Sequence, residues 1–196
     1  MAAGTQTTYA LNLDDIIAFP DSAHSPVLPP EPGESWFVLT QARRLGNHVE
    51  AQVSWGRPIF RVRDKIGTQF IVAFYTEDAD EDSEGCHIGG ILAVKNARLK
   101  HFMDGQLGIR VNEASDVENI PCSLSELWAL NQQLKDRSDS GLLISCINCD
   151  LPAAKQCTNC QTKYCTRDCQ AADWKNHKHK CKALKLLHQW NRTDWG

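Results

Sequence analysis

Between residues 36 and 111, apolar and polar positions alternate in short runs with a period of two. Val49, Ala51, Val53 and Trp55 share one face, and Ile59, Arg61 and Arg63 oppose Phe60 and Val62. The pattern predicts strands over 36–40, 48–55, 59–63, 69–76, 91–95, 98–102 and 107–111. The run Asp64-Lys65-Ile66-Gly67 reads as a turn, and Asp104-Gly105 is a favoured two-residue hairpin loop. Gly56 before Pro58 suggests a bend within a long strand. Short antiparallel strands of this kind predict an α+β fold built on a small antiparallel barrel or curled sheet, OB-like in outline.

Elsewhere the period changes. Leu124, Leu127, Leu130 and Leu134 recur at helical spacing behind Pro121 and the capping box Ser123-Leu124-Ser125-Glu126. A helix over about 124–135 should cover the open side or end of the sheet. The polar run 136–141 reads as the start of a linker extending to 145. Pro20, Pro26, Pro29, Pro30 and Pro32 crowd the first 35 residues, so 1–35 is expected to be a mostly irregular arm. Its apolar stretch, Leu11 to Phe19, predicts one helical turn or a strand. Residues 77–84 hold six acids in eight positions and read as a solvated loop. The expected parts are the arm 1–35, a β-rich domain with its helix over 36–135, a linker 136–145, a cysteine-rich segment 146–181 and a helical extension 182–196.

Charge and cysteine both divide this chain of 196 residues near residue 140. Residues 1–145 carry 12 Lys+Arg against 20 Asp+Glu, a balance of −8; residues 146–196 carry 9 against 4, or +5. Of nine cysteines, only Cys86 and Cys122 lie in the first part. The longest apolar run, Phe70 to Tyr75, is far short of the ~18–20 residues of a membrane span. Residues 1–10 lack a basic stretch followed by an apolar one, so no signal peptide is expected. The expected location is intracellular, in nucleus or cytoplasm. Cysteines clustered in a reducing compartment more often bind metal than pair.

From Cys146 the pattern is C-x2-C-x7-C-x2-C-x4-C-x3-C-x7-H-x3-C. It runs through Cys146, Cys149, Cys157, Cys160, Cys165, Cys169, His177 and Cys181. Eight Cys and His ligands make two tetrahedral zinc sites, with no position left for water; such closed sites are structural. Cys165/Cys169 and His177/Cys181 are i, i+4 pairs, which one helix turn brings to one face. Spacing alone permits sequential or interleaved pairing. RING and PHD fingers have longer gaps between their middle pairs, and an iron–sulfur cluster would not use the His-x3-Cys end. Apolar material here is sparse, so folding should depend on metal.

This segment resembles the MYND zinc finger at all eight ligand positions. Tyr164-Cys165, Cys169-Gln170, Asp173-Trp174 and His177-Lys178 resemble that family as well. The resemblance covers about 146–181. It implies an interleaved cross-brace: Cys146, Cys149, Cys165 and Cys169 on one zinc, and Cys157, Cys160, His177 and Cys181 on the other. It also implies a protein-interaction module that takes Pro-x-Leu-x-Pro peptides, with Gln170 and Trp174 lining the groove. Trp174 could equally serve as the finger's miniature core. The chain's own Pro26-Val27-Leu28-Pro29-Pro30 fits that ligand pattern, making the arm a candidate for self-docking.

The remaining features point away from chemistry. No G-x-S-x-G, P-loop or dinucleotide fingerprint occurs, and Asn47-His48 lacks the continuation a SET methyltransferase needs, so no enzyme is expected. Cys86-His87 has no partners for a metal site, and Cys86 and Cys122 read as free thiols. Arg57, Arg61, Arg63, Lys95, Arg98 and Lys100, with Phe60, Phe70 or Phe102, could form a nucleic-acid platform. That supports an alternative: a nucleic-acid-associated regulator whose finger recruits a corepressor. The −8 balance of this part opposes it. In the finger, seven ligating thiolates and two zinc ions bring +5 to about +2. Its lysines therefore largely offset its own sulfurs, and nucleic acid is not an expected partner. Leu184, Leu187 and Trp190 continue a helical stripe beyond it.

Overall fold

The computed structural model describes residues 8–46 and 57–195. They form two compact units. One is Asp14–Leu124 with Trp195; the other joins the segment ending at Leu13 to Ser125–Asp194. The strand expected over 48–55 lies outside the described residues.

The first unit is a seven-stranded sheet: β1 (Phe37–Gly46), β2 (Ile59–Asp64), β3 (Gln69–Phe74), β4 (Ile91–Lys95), β5 (Leu99–His101), β6 (Leu107–Val111) and β7 (Val117–Ile120). Their spatial order is β5-β6-β3-β2-β1-β4-β7. β1 is long enough to pair with β4 through Phe37–Gln41 and with β2 through Thr40–Gly46, with an irregularity between Ala42 and Arg44. Two expectations need correction. The sheet is open, with β5 and β7 at its edges among the described residues, so the barrel does not close. It is also mixed, because β3 and β6 run parallel. The hairpin β5–β6 returns to β3 after a crossover instead of extending an antiparallel meander.

One face of the sheet carries the core: Val38, Phe60, Val62, Val72, Phe74, Leu92, Val94 and Ile109 are all nearly inaccessible. The Asp64–Gly67 turn forms as expected, with Gly67 at φ 95° and Asp64 accepting from the Thr68 N–H. Gly105, at φ 81°, closes the β5–β6 hairpin, but the loop is three residues, 103–105, rather than the expected two: the Phe102 N–H donates to the Gln106 carbonyl across it. The acidic stretch 77–84 includes a short helix, α1 (Ala79–Ser83), with no buried residue. The arm is irregular in backbone but tied down. Ala18, Phe19 and Asp21 are buried; the Phe37 N–H donates to the Ala18 carbonyl, and the Ser22 N–H to Asp64.

The second unit contains α2 (Leu124–Asp139), a two-stranded hairpin of β8 (Lys155–Gln156) and β9 (Lys163–Tyr164), and α3 (Arg167–Trp190). α2 starts directly after Ser123, as the capping box requires, but runs four residues past the expected end at 135. It stops at a glycine motif. Gly141, at φ 70°, donates to the Ser138 carbonyl and Leu142 to that of Arg137, which satisfies the helix's terminal acceptors. The expected linker 136–145 therefore begins as helix, and Ser125–Asp139 belongs to the cysteine-rich unit rather than to the sheet's.

The segment before Leu13 straps α2 to α3. The buried Tyr9 hydroxyl donates to Asn131 at 2.7 Å, and its ring meets His188 edge-on at 6.1 Å. The Tyr9 N–H donates to Ser138, and Asn191 bonds the backbone of Thr8 and Ala10. Tyr9→Phe leaves the buried Asn131 oxygen without its donor. It should lower the stability of this unit by about 1–2 kcal/mol in a denaturant titration followed by helical circular dichroism.

Gly108 marks the close parallel approach in the other unit. A Cβ there would collide with the Ile71 carbonyl oxygen and reach 2.9 Å from the Phe102 ring. Gly108→Ala should cost the sheet unit about 1–3 kcal/mol, read as a loss of amide protection in β3 and β6.

Candidate metal centre

The cysteine-rich segment begins with two knuckles of the same geometry. In Cys146–Cys149, the Cys146 N–H donates to the Leu151 carbonyl, and the Asp150 N–H returns to the Cys146 carbonyl. In Cys157–Cys160, Cys157 donates to Thr162, and Gln161 returns to Cys157. The residue after each knuckle is left-handed: Asp150 at φ 59° and Gln161 at φ 65°. That conformation is costly for glutamine. It turns the backbone so that both sulfurs of each knuckle face one point.

The hairpin and helix then set the pairing. β8 leads into the second knuckle and β9 leads out of it, so Cys165 at the exit of β9 returns to the first knuckle. Thr166 caps α3, its hydroxyl accepting from the Cys169 N–H, and places Cys169 in the first turn. Two helical turns on, His177 and Cys181 face the second knuckle. The interleaved arrangement is the one found. Ligand atoms of Cys146, Cys149, Cys165 and Cys169 lie within 4.8 Å of one another, as do those of Cys157, Cys160, His177 and Cys181. Cys165 itself sits just before the helix rather than on it.

The distances fit zinc. Tetrahedral zinc with bonds of about 2.3 Å to sulfur and 2.0–2.1 Å to nitrogen sets S···S edges near ~3.8 Å and S···N edges near ~3.5 Å. The Sγ separations Cys149–Cys165, Cys165–Cys169 and Cys169–Cys149 are 3.5, 3.3 and 3.8 Å. In the second set, Cys157–Cys181 is 3.9 Å, and Cys160 Sγ to His177 Nε2 is 3.5 Å. No disulfide joins any of the nine cysteines. The charges agree. Burial raises the Cys146 thiol's pKa, but backbone N–H groups of Cys165, Asn148 and Cys149 outweigh it and hold it at about 6. Hydrogen bonding to Cys169 and Cys149 pushes Cys165 up to about 12, because neighbouring sulfurs resist joint ionisation. A divalent cation removes that resistance. Burial also lowers the pKa of His177, favouring the neutral imidazole that ligates metal.

A supporting shell surrounds the ligands. Asn159 donates to Cys181 Sγ at 3.2 Å, and Thr162 Oγ1 lies 3.0 Å from Cys160 Sγ. Tyr164 is fully buried, packs edge-on to His177, and donates to Asp173 at 2.7 Å. Arg137 of α2 grips the first knuckle, pairing with Asp150 at 2.7 Å and donating to the carbonyls of Leu142, Ser145 and Cys146. Sequence reasoning missed Arg137, Asn159 and Thr162. Nothing in the ligand grid marks them, and Arg137 sits in a stretch that reads as polar linker.

Residues 146–181 are a MYND finger. The match spans all eight ligands, and the two four-ligand sets form the cross-brace of zinc sites. A MYND finger is a zinc-binding protein-interaction module. The chain is also 42% identical over 161 residues to Dauer abnormal formation protein 25 of Caenorhabditis elegans. That stretch is 81% of this chain, so the likeness extends well beyond the finger, but it spans only 39% of the relative's length. Among the described residues, no helix is long and apolar enough to cross a membrane.

The other sequence candidates fall as follows. Trp174 is 51% exposed and lies 6.0 Å from the His177 ring, while Tyr164 fills the finger's core. Gln170 is half-buried on the same helix. Val27 and Leu28 of the proline motif are 84% and 76% exposed. Cys86 packs partly against the sheet core, and Cys122 is buried. Phe60 and Phe70 lie in the core and cannot act as stacking platforms. Of the named aromatics only Phe102 remains half-exposed, near-parallel to Tyr75 and beneath Lys100; Arg57 and Arg110 cover Tyr75.

Zinc should bind at two ions per chain. Chelation should strip amide protection from 146–181 while β1–β4 keep theirs, measured by residue-resolved hydrogen exchange. Unchanged protection in the finger would show that the metal does not hold it.

Proposed function

We propose that this chain is a non-enzymatic intracellular adaptor whose MYND finger binds proline-containing peptides of the Pro-x-Leu-x-Pro type. The exposed indole of Trp174 is the observation that carries this reading. A large aromatic kept at the surface of a small domain, beside a rigid metal ligand, offers apolar contact area at little ordering cost. Gln170, one turn earlier on α3, supplies an amide donor and acceptor for an extended backbone. Both zinc sites are filled by protein ligands, which favours a structural role over a catalytic one. Pro26-Val27-Leu28-Pro29-Pro30, with Leu28 exposed, is a ligand that the chain itself supplies, in cis or to a second copy.

The test is calorimetric titration of zinc-loaded full-length protein with a peptide containing Pro-Val-Leu-Pro-Pro. Trp174→Ala should weaken binding by about tenfold or more, with two zinc ions still bound. Equal affinity in the variant would remove the indole from the groove. Leu28→Ala should raise the apparent affinity for added peptide if the arm competes for the same site.

A further inference from the structure

A second feature of the finger's unit has neither Trp174 nor Gln170 in its lining, though it reaches His177 beside Trp174. It is a groove of about 480 Å³ lined by α2, the β8–β9 hairpin and α3. Leu130 and Leu134 of α2 and Leu184 of α3 form its apolar floor, each buried with only an edge open to the groove. Lys163, Lys180 and Arg192 also line it. Along α3 the lining runs from Asp173 to His188, which at 1.5 Å per residue is about 22 Å. That length suits a peptide segment better than a compact metabolite.

The groove's charge bears on what it would hold. Lys163 donates to Gln156 and Arg192 to Gln161, both neutral acceptors. Among the described residues, no carboxylate pairs with Lys163, Lys180 or Arg192. Arg137, also in the lining, is already neutralised by Asp150. The lining holds one acid, Asp173, which keeps its negative charge while its Oδ2 accepts the Tyr164 hydroxyl. His188 adds no positive charge near pH 7: burial foremost, then Arg192 and Lys163, lower its pKa to about 4. The groove thus combines a leucine lining with three cations, none in an ion pair among the described residues, against the single carboxylate of Asp173.

We propose that this groove binds an acidic amphipathic peptide segment of a partner protein, its leucine-type side chains on Leu130, Leu134 and Leu184 and its carboxylates on Lys163, Lys180 and Arg192. The site borders the Trp174 face at His177 but has neither Trp174 nor Gln170 in its lining, and it does not depend on the proline-peptide reading. The probe is a fluorescent 15-residue peptide with leucines at i, i+4 spacing and glutamates between them; its control replaces every glutamate with glutamine. Both are titrated into zinc-loaded full-length protein by anisotropy, with amide shifts mapped by NMR.

The glutamate peptide should bind at least tenfold more tightly than the glutamine one and weaken with salt. Lys180→Ala and Arg192→Ala, at exposed positions, should each reduce affinity about fivefold or more while two zinc ions stay bound. Trp174→Ala should leave it unchanged, and shifts should centre on Leu130, Leu184 and His188. Equal binding of both peptides, insensitivity to both cation substitutions, or shifts centred on Trp174 would each overturn the proposal.

Discussion

Four sulfurs packed into a few ångströms cannot all carry charge unless a cation sits among them. That constraint organises the finger's unit. It makes the left-handed turns at Asp150 and Gln161 tolerable, since a metal that needs both sulfurs of a knuckle recovers the backbone cost. It fixes the hairpin as well: β9 must deliver Cys165 to one ion while the loop between the strands holds Cys157 and Cys160 on the other. It also orients α3, whose first turn serves one ion and whose third and fourth serve the second. A helix clamped at both zinc sites is a rigid base for whatever its exposed faces bind.

The metal is not the unit's only organiser. Arg137 ties α2 to the first knuckle through three carbonyls and Asp150, and Tyr9 joins α2 to α3 through a buried hydroxyl and an edge-on histidine. These contacts turn a small zinc module into a larger one with apolar stripes on two helices. Leu130 and Leu134 on one helix and Leu184 and Leu187 on the other are buried, and Trp190 is fully so. The finger therefore has a conventional core that its own short sequence could not supply.

What the sequence reveals follows from how local each determinant is. The ligand grid, the strand runs and the two glycine turns are short-range patterns, and the structure has all of those within the described residues. β7 escaped because Val117–Ile120 (Val-Glu-Asn-Ile) has too little apolar alternation to mark a strand, and its partner β4 supplies the pairing. The open, mixed sheet escaped because parallel pairing of β3 with β6 is a matter of topology, and runs of this length look alike in barrels and open sheets. Helix α2 was visible as a helix, but its leucine stripe says only that it packs, not on what. Arg137 and Tyr9 decide that, and both bonds cross a long stretch of sequence or sit in a polar run without periodicity.

Net charge is similarly uninformative until it is placed. The finger's near-neutral total with zinc bound averages unlike regions: thiolates enclosed around two ions, and lysines and arginines outside them. Coulomb attraction between a lysine and a zinc-thiolate centre falls with distance and with solvent between them. Cations lining the groove at Lys163, Lys180 and Arg192 are therefore not cancelled simply because the sum is small. Asp150 shows the contrast: it neutralises Arg137 at 2.7 Å, whereas the groove's single acid, Asp173, faces three cations and forms its hydrogen bond with Tyr164. The local field is set by which charges are within reach, and in this groove the positive ones outnumber the negative.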